Sequence, residues 1–237
     1  MSETVTYDVD LGELELALSE RQLSGEELDK KNNTLLGGTK LRAELEDMEK
    51  PDVDKTLHIN LKSHGIYIQF DRILVKEKKK IWSFMVRTSV WGGGDISAED
   101  WLKYSRLADL YSTYDDGSPS LRLTTRQTFQ FHRVTKENLL TLVRELISIG
   151  RFTLNGCGDN TRNPIASVVK SEVFNANQLA QKIGRYFQLP VENHFEVFSP
   201  ETKLTEEQKI IGFKYSELGL PRKLKIGIEG IYEDYES

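Results

Sequence analysis

The 237 residues, 38% hydrophobic and 29% charged, suffice for a core of one or two domains, and no apolar run approaches the ~20 residues that span a bilayer. The net charge of −5 hides an asymmetry, because residues 1–54 hold 15 acidic and 6 basic side chains whereas 55–237 hold 22 acidic and 26 basic. A mildly basic body without an aromatic-interleaved Lys/Arg tract suits a small anion rather than nucleic acid, and the acidic N-terminus is unlike a signal peptide, so a soluble cytoplasmic protein that engages no membrane is expected.

In chain order, residues 1–54 read as an acidic arm that wraps or leads into the body, with a helix-compatible piece from Thr39 to Lys50 interrupted upstream by Gly37-Gly38. Leu57 to Phe70 reads as one strand or two, LHINL and GIYIQF, followed by a charged loop, Lys76 to Lys80. Ile81 to Ser89 is a strong strand ending at Trp91 and the glycines Gly92 to Gly94, which permit a sharp turn or close approach to a ligand. Ser97 to Asp100 has the signature of a helix start. The helix that follows carries Trp101, Tyr104, Leu107, Ala108 and Tyr111 on one side before Asp116-Gly117-Ser118-Pro119.

Leu121 to His132, LRLTTRQTFQFH, alternates as a strand: Leu121, Leu123, Phe129 and Phe131 suit a core, while Arg122, Thr124, Arg126, Thr128, Gln130 and His132 line the other face. On such a strand Arg122 and Arg126 stand about 13 Å apart at ~3.3 Å per residue, a spacing for separate carboxylates of one large anion. Thr135 then caps a helix bearing Leu139, Leu142, Val143, Leu146 and Ile147. This order of elements predicts an α+β sandwich with helices on one face of a mostly antiparallel sheet. The loop from Gly150 to Pro164 is rich in Gly, Asn and Asp, which allow unusual backbone angles and present amide donors. Asn177 to Gln188 reads as a helix ended by Pro190, His194 to Phe198 as a short strand, and Thr205 to Ile211 as ambiguous. Arg222 to Ile228 reads as a strand entered through Leu220-Pro221, before an acidic tail, Glu229 to Ser237.

Cations recur at separated places: Arg87, Arg122 and Arg126, Arg162, and Lys223 with Lys225, which share a strand face and can address one anion. Arginine binds planar carboxylates bidentately, and lysine adds a mobile charge that can give up a proton, a combination suited to reducing a small oxyanion. The single cysteine, Cys157, excludes a cysteine-ligated metal site from this chain alone; it reads as a small loop residue, and Trp82, Trp91 and Trp101 as packing residues. Four histidines, none paired at helical spacing, argue against zinc, so no metal ligand is assigned here.

RLTTRQTFQFH, followed by GCGDNTRN and then LPRKLK, resembles the N-terminal half of the sirohaem-dependent sulfite and nitrite reductases, closest to the assimilatory sulfite reductase haemoproteins, over Leu57 to Ile228. The resemblance implies a ferredoxin-like half-domain over 55–150 and, over 151–237, the first part of a sirohaem-binding α/β domain. It implies that Arg122, Arg126, Gln130 and His132 bind the carboxylates of sirohaem, and that Arg87, Arg162, Lys223 and Lys225 surround the open iron position and bind the oxyanion. Lys225, where the nitrite reductases usually carry asparagine, and the TFQFH motif favour sulfite over nitrite.

The same resemblance puts the four cysteines of a 4Fe-4S cluster on a second half that these residues do not include. The expectation is therefore the sirohaem-binding half of a sulfite reductase that works with a cluster-bearing half and draws electrons from a ferredoxin or flavoprotein. The alternatives are a non-catalytic tetrapyrrole-binding or regulatory module of the same descent, and a nitrite reductase half.

Overall fold

The computed structural model describes residues 22–25, 27–28, 38–70, 81–90, 96–169, 174–189, 191–205 and 223–229. The Lys76 to Lys80 loop, the Trp91 to Gly94 turn, Leu220-Pro221, and most of the arm, of the Thr205 to Ile211 stretch and of the acidic tail lie outside them.

A helix α1 (Gly38–Glu46) and a single 3-10 turn (Lys55–Leu57) lead into α2 (His58–Ser63) and the first strand, β1 (Ile66–Phe70). LHINL is thus helical rather than extended. Leu57 and Leu61, four residues apart, are both buried, which is helical spacing. Strand β2 (Trp82–Arg87) is followed by α3 (Ala98–Tyr111), whose Ser97 side chain accepts from the Asp100 amide as the motif predicted. Then come β3 (Leu121–Leu123), β4 (Phe129–Val134) and α4 (Lys136–Ser148), capped by Thr135. Beyond the Gly/Asn loop lie β5 (Ile165–Ala166), α5 (Ala176–Tyr186), α6 (Val191–Phe198) and β6 (Gly227–Ile228).

Helix α6 corrects the expected strand at His194 to Phe198. Val191, His194, Phe195 and Phe198 are buried at i, i+3, i+4 and i+7, so the stretch has one apolar helical face rather than two strand faces.

The principal sheet has the order β1-β2-β4-β3 with every pair antiparallel. Its inner face supplies Ile66, Phe84, Val86, Phe129, Phe131 and Val134 to the core, where they meet Tyr104 and Leu107 of α3 and Leu139, Leu142, Val143 and Leu146 of α4. Tyr104 stacks on Phe129 with ring centroids 4.1 Å apart, and Trp101 meets the same ring edge-on. From the expected arm, Leu41, Leu45 and Val53 join this core. Lys136 fastens that segment, its ammonium donating to the carbonyls of Asp47, Lys50 and Asp52 at 2.7–2.8 Å.

The expected continuous strand over Leu121 to His132 is instead a hairpin. Leu121, Arg122 and Leu123 pair with Phe131, Gln130 and Phe129, and Thr124 to Thr128 make the turn, closed by the Thr124 amide on the Thr128 carbonyl at 2.9 Å. Gln127 at its tip takes φ 55°, the left-handed position of a short hairpin loop that usually holds glycine. A second, two-stranded parallel sheet pairs β5 with β6, and the parallel bridge Thr161–Leu224 extends it. Among the described residues, no helix is long and apolar enough to cross a membrane.

Candidate functional site: a cationic sheet face under a glycine loop

With one face of the sheet turned to the helices, the other is free for chemistry. Arg87 pairs with Gln130 across β2 and β4, and Gln130 pairs with Arg122 across β4 and β3, so three polar side chains form one row over three strands. At ~4.8 Å per strand the two arginine Cα atoms stand about 10 Å apart on either side of Gln130. With its carbonyl turned to Arg87, Gln130 accepts from Nη2 at 2.5 Å and Nε at 3.2 Å, which fixes the guanidinium plane. The Nη2 of Arg122 donates to the Tyr114 hydroxyl at 3.0 Å and the side chain stays exposed.

His132 stands two residues beyond Gln130 on the same face. Its Nε2 is shut off from solvent and has no hydrogen-bond partner. Burial, with Arg122, Arg87 and Arg133 around it, pushes its pKa down to about 4, so the imidazole is neutral among cations at pH 7.

The Gly/Asn loop closes down on the end of β2. A Cβ at Gly156 would lie 2.3 Å from the Arg87 carbonyl oxygen, and one at Gly65 would lie 2.7 Å from it and 1.9 Å from that of Thr153, so only glycine lets these segments meet. Asn163 ties the loop down: its side chain bonds the amide and carbonyl of Val90, each at 2.9 Å, and the Arg126 carbonyl at 3.0 Å. The hairpin tip answers with Gln127, whose amide brackets Ala166 of β5 at 2.9 and 3.3 Å.

The cations divide by what their donors are doing. Arg162 is buried and donates to the carbonyls of Gly158 at 2.8 Å and Gly156 at 3.0 Å, the second of which also takes a bond from Arg87 at 3.3 Å. Arg126 sits at the hairpin tip, away from the Arg122 row, and donates to the Asn163 carbonyl at 2.8 and 3.2 Å and the Ile226 carbonyl at 3.1 Å. The expected spacing of Arg122 and Arg126 along one strand therefore does not exist. Lys223 and Lys225 flank Leu224, whose amide and carbonyl bond Asn160 and Arg162, which places both lysines beside the loop. Among the described residues, none of Arg87, Arg122, Arg126 and Arg162 has a carboxylate partner.

Cys157 is buried, with its thiol pushed up to about 12 by burial and its Sγ donating to the Lys62 carbonyl, a small packing residue in the loop. No group of three His, Cys, Asp or Glu residues suited to a metal ion occurs among the described residues. Three contributors escaped the sequence reading: Tyr114, Arg133 and Asn160. Asn160 is 1% exposed with neither side-chain polar atom partnered.

A carboxylate-fringed tetrapyrrole fits this chemistry. Guanidinium donors presented on one face without a carboxylate partner among the described residues suit the carboxylates of such a ring.

Residues 77–149 match the model of the nitrite/sulfite reductase ferredoxin-like half domain. The chain is 36% identical over 229 residues to the sulfite reductase (NADPH) hemoprotein beta-component of Paenibacillus sp. JDR-2, covering 90% of this chain and 35% of that protein. It is 33% identical over 180 residues to the protein of the same description from Shewanella putrefaciens, covering 71% of this chain and 30% of that one. The chain thus spans about a third of the length of the curated relatives it matches. In fold it is similar to the Mycobacterium tuberculosis NirA protein, with a TM-score of 0.59 and 22% identity over 91% of this chain and 37% of that one. Over residues 77–149 the chain thus carries the nitrite/sulfite reductase ferredoxin-like half domain, and over most of its length it is similar to about a third of the extent of sulfite reductase hemoprotein beta-components.

Proposed function

We propose that this chain binds sirohaem on the polar face of its main sheet and forms the oxyanion-binding wall of a sulfite reductase completed by a cluster-bearing half. The observation that carries this reading is the Arg87–Gln130–Arg122 row beside an unpartnered His132 Nε2, with no carboxylate paired to either arginine among the described residues. Arg122 and His132 receive carboxylates of the macrocycle, and Gln130 holds Arg87 in plane. Arg126 acts one step back, binding the hairpin tip to the loop that covers the site.

Sirohaem, when bound, would supply the redox-active iron. Arg87, Lys223 and Lys225 would draw in the sulfite oxygens and favour the negative charge that builds on them. Lys223 and Lys225, beside the loop, would also be able to carry the protons that reduction consumes. Arg162 contributes mainly by shaping the loop, because its donors serve the Gly156 and Gly158 carbonyls. Sulfite is preferred to nitrite because a dianion gains more from the extra ammonium of Lys225. Electrons arrive from the cluster-bearing half, fed in the cytoplasm by a flavoprotein or a ferredoxin; the relatives named as NADPH enzymes support the flavoprotein.

The test is an absorption titration of the full chain with sirohaem, alone and with a cluster-bearing polypeptide, followed by sulfite and nitrite reduction assays. Sulfite turnover only with both present supports the proposal. Sirohaem binding without turnover in any mixture leaves a tetrapyrrole-binding module, and faster nitrite turnover reassigns the substrate.

A further inference from the structure

The two fully buried histidines lie away from the sheet face and meet each other. His64, which ends α2, and His194 of α6 are both 0% exposed, with their Nδ1 atoms 2.9 Å apart and their rings stacked at 5.2 Å between centroids. Phe198 meets the His64 ring edge-on and tilts against that of His194, and Phe152 meets His194 edge-on, so the pair sits among aromatic rings. Two Nδ1 atoms at this distance share one proton: one ring donates and the other accepts through a bare lone pair. A first added proton places a charge among the aromatic rings, and a second sets two N–H groups face to face with no acceptor between them.

Burial, with His64 as the one charged group that acts on it, holds His194 well below the ordinary histidine pKa. The charged groups of the surrounding elements serve other partners. Arg42 of α1 pairs with Glu46 at 3.0 Å, Arg144 of α4 donates to the Phe198 carbonyl, Arg151 pairs with Asp100 at 2.7 Å, and His58 of α2 bonds the Val53 carbonyl at 3.0 Å. Lys62 of α2 acts on Cys157, while Glu192 and Glu196 belong to α6 itself, with Glu196 exposed.

The next residue in the chain links this pair to the candidate oxyanion site. Gly65, at φ 83°, is wedged between the Thr153 and Arg87 carbonyls, and its own carbonyl accepts the Arg87 amide at 2.9 Å. With no slack on either side, Gly65 passes a displacement of His64 to the backbone of Arg87.

We infer that the His64–His194 pair is an acid-sensitive latch: with neutral rings it holds α6 on α2 and seats Gly65 against Arg87, and protonation of the pair releases that seat. The seat is complete at neutral pH and is lost as pH falls below the ordinary histidine range. Its consequence for the oxyanion rests on the role proposed for Arg87, whereas the latch itself does not.

The experiment is proton–nitrogen correlation NMR of the full chain from about pH 7.5 to about 4, in a His132→Gln background so that no imidazole on the sheet face titrates. The expected result is that the Gly65 and Arg87 amide signals move in one transition with the ring nitrogens of His64 and His194. The double variant His64→Asn with His194→Asn keeps a polar atom near each Nδ1 position and removes both titrations, so the two amide signals stay in place. Should that variant fail to fold, His194→Asn alone is expected to show a shallower transition, with one imidazole titrating instead of two, and an equally steep one overturns the inference. Gly65 and Arg87 signals that stay in place while the two rings protonate, or that respond alike with and without the pair, overturn it as well. So does loss of every amide signal at one midpoint in all the proteins, which makes acid sensitivity a property of the whole fold. No tetrapyrrole enters this experiment, so its failure is distinct from a failure of sirohaem binding, which overturns the proposed function alone.

Discussion

Two sets of arginines lie within this one site, and they do opposite work. Arg126 and Arg162 donate to backbone carbonyls of the loop and of the segment leading into β6, so their donors are engaged in holding segments together. Arg122 is anchored by a tyrosine hydroxyl and keeps its remaining donors toward solvent, while Arg87 lies between the two, its donors shared by Gln130 and the Gly156 carbonyl. What a cation contributes to a ligand therefore depends on what its donors are already doing, and residue type alone does not reveal that.

The largest effect that would test the division is at Arg162. Arg162→Ala leaves the Gly158 carbonyl without its buried donor and the Gly156 carbonyl with only the longer bond from Arg87, and is expected to lower unfolding free energy by about 3 kcal/mol, read from urea denaturation. Arg126→Ala should cost about 2 kcal/mol for the same reason at a less buried place, and should raise hydrogen exchange at Asn163 and Ala166 together as the hairpin tip releases the loop.

Acid is a gentler probe of the presented face. The unfolded chain protonates His132 below about pH 6.5, whereas the folded site resists until about 4. Its stabilising contribution is therefore complete above 6.5 and lost as pH falls through that window. His194, buried against His64 at 2.9 Å and also held below its ordinary pKa by burial, acts in the same direction. After discounting for the partial exposure of His132, its share is about 1 kcal/mol, and His132→Gln should flatten the denaturation midpoint between pH 6.5 and 4.5 by that amount. The smallest stability change is expected at Arg122→Ala, within about 0.5 kcal/mol, because an exposed side chain with one neutral partner adds little to folding. A destabilisation there as large as that of Arg162→Ala would erase the distinction.

Much of the fold was legible because its signals are local: the Ser97 and Thr135 caps, the helical spacing of Leu139 to Ile147, and the strand within Ile81 to Ser89 all appear where expected. The hairpin was not. Both of its strands preserve in-out parity, and its turn, TTRQT, lacks the glycine, asparagine or proline that announces a reversal, with Gln127 taking the left-handed position instead. A continuous strand and a hairpin then predict the same faces but place Arg126 differently. Short buried helices such as α2 and α6 were misread for a related reason, since a few apolar residues satisfy periods of 2 and 3.6 alike. The cross-strand row was invisible in principle, because Arg87 and Arg122 meet only through pairings made far apart in the chain.

The most direct test is a sirohaem absorption titration of wild type and Arg122→Ala, each shown folded by its melting temperature. Saturable binding by wild type, weakened about tenfold or more in a variant of unchanged stability, is the predicted result. Equal affinity of the two proteins would contradict the assignment of the cationic sheet face as the tetrapyrrole site.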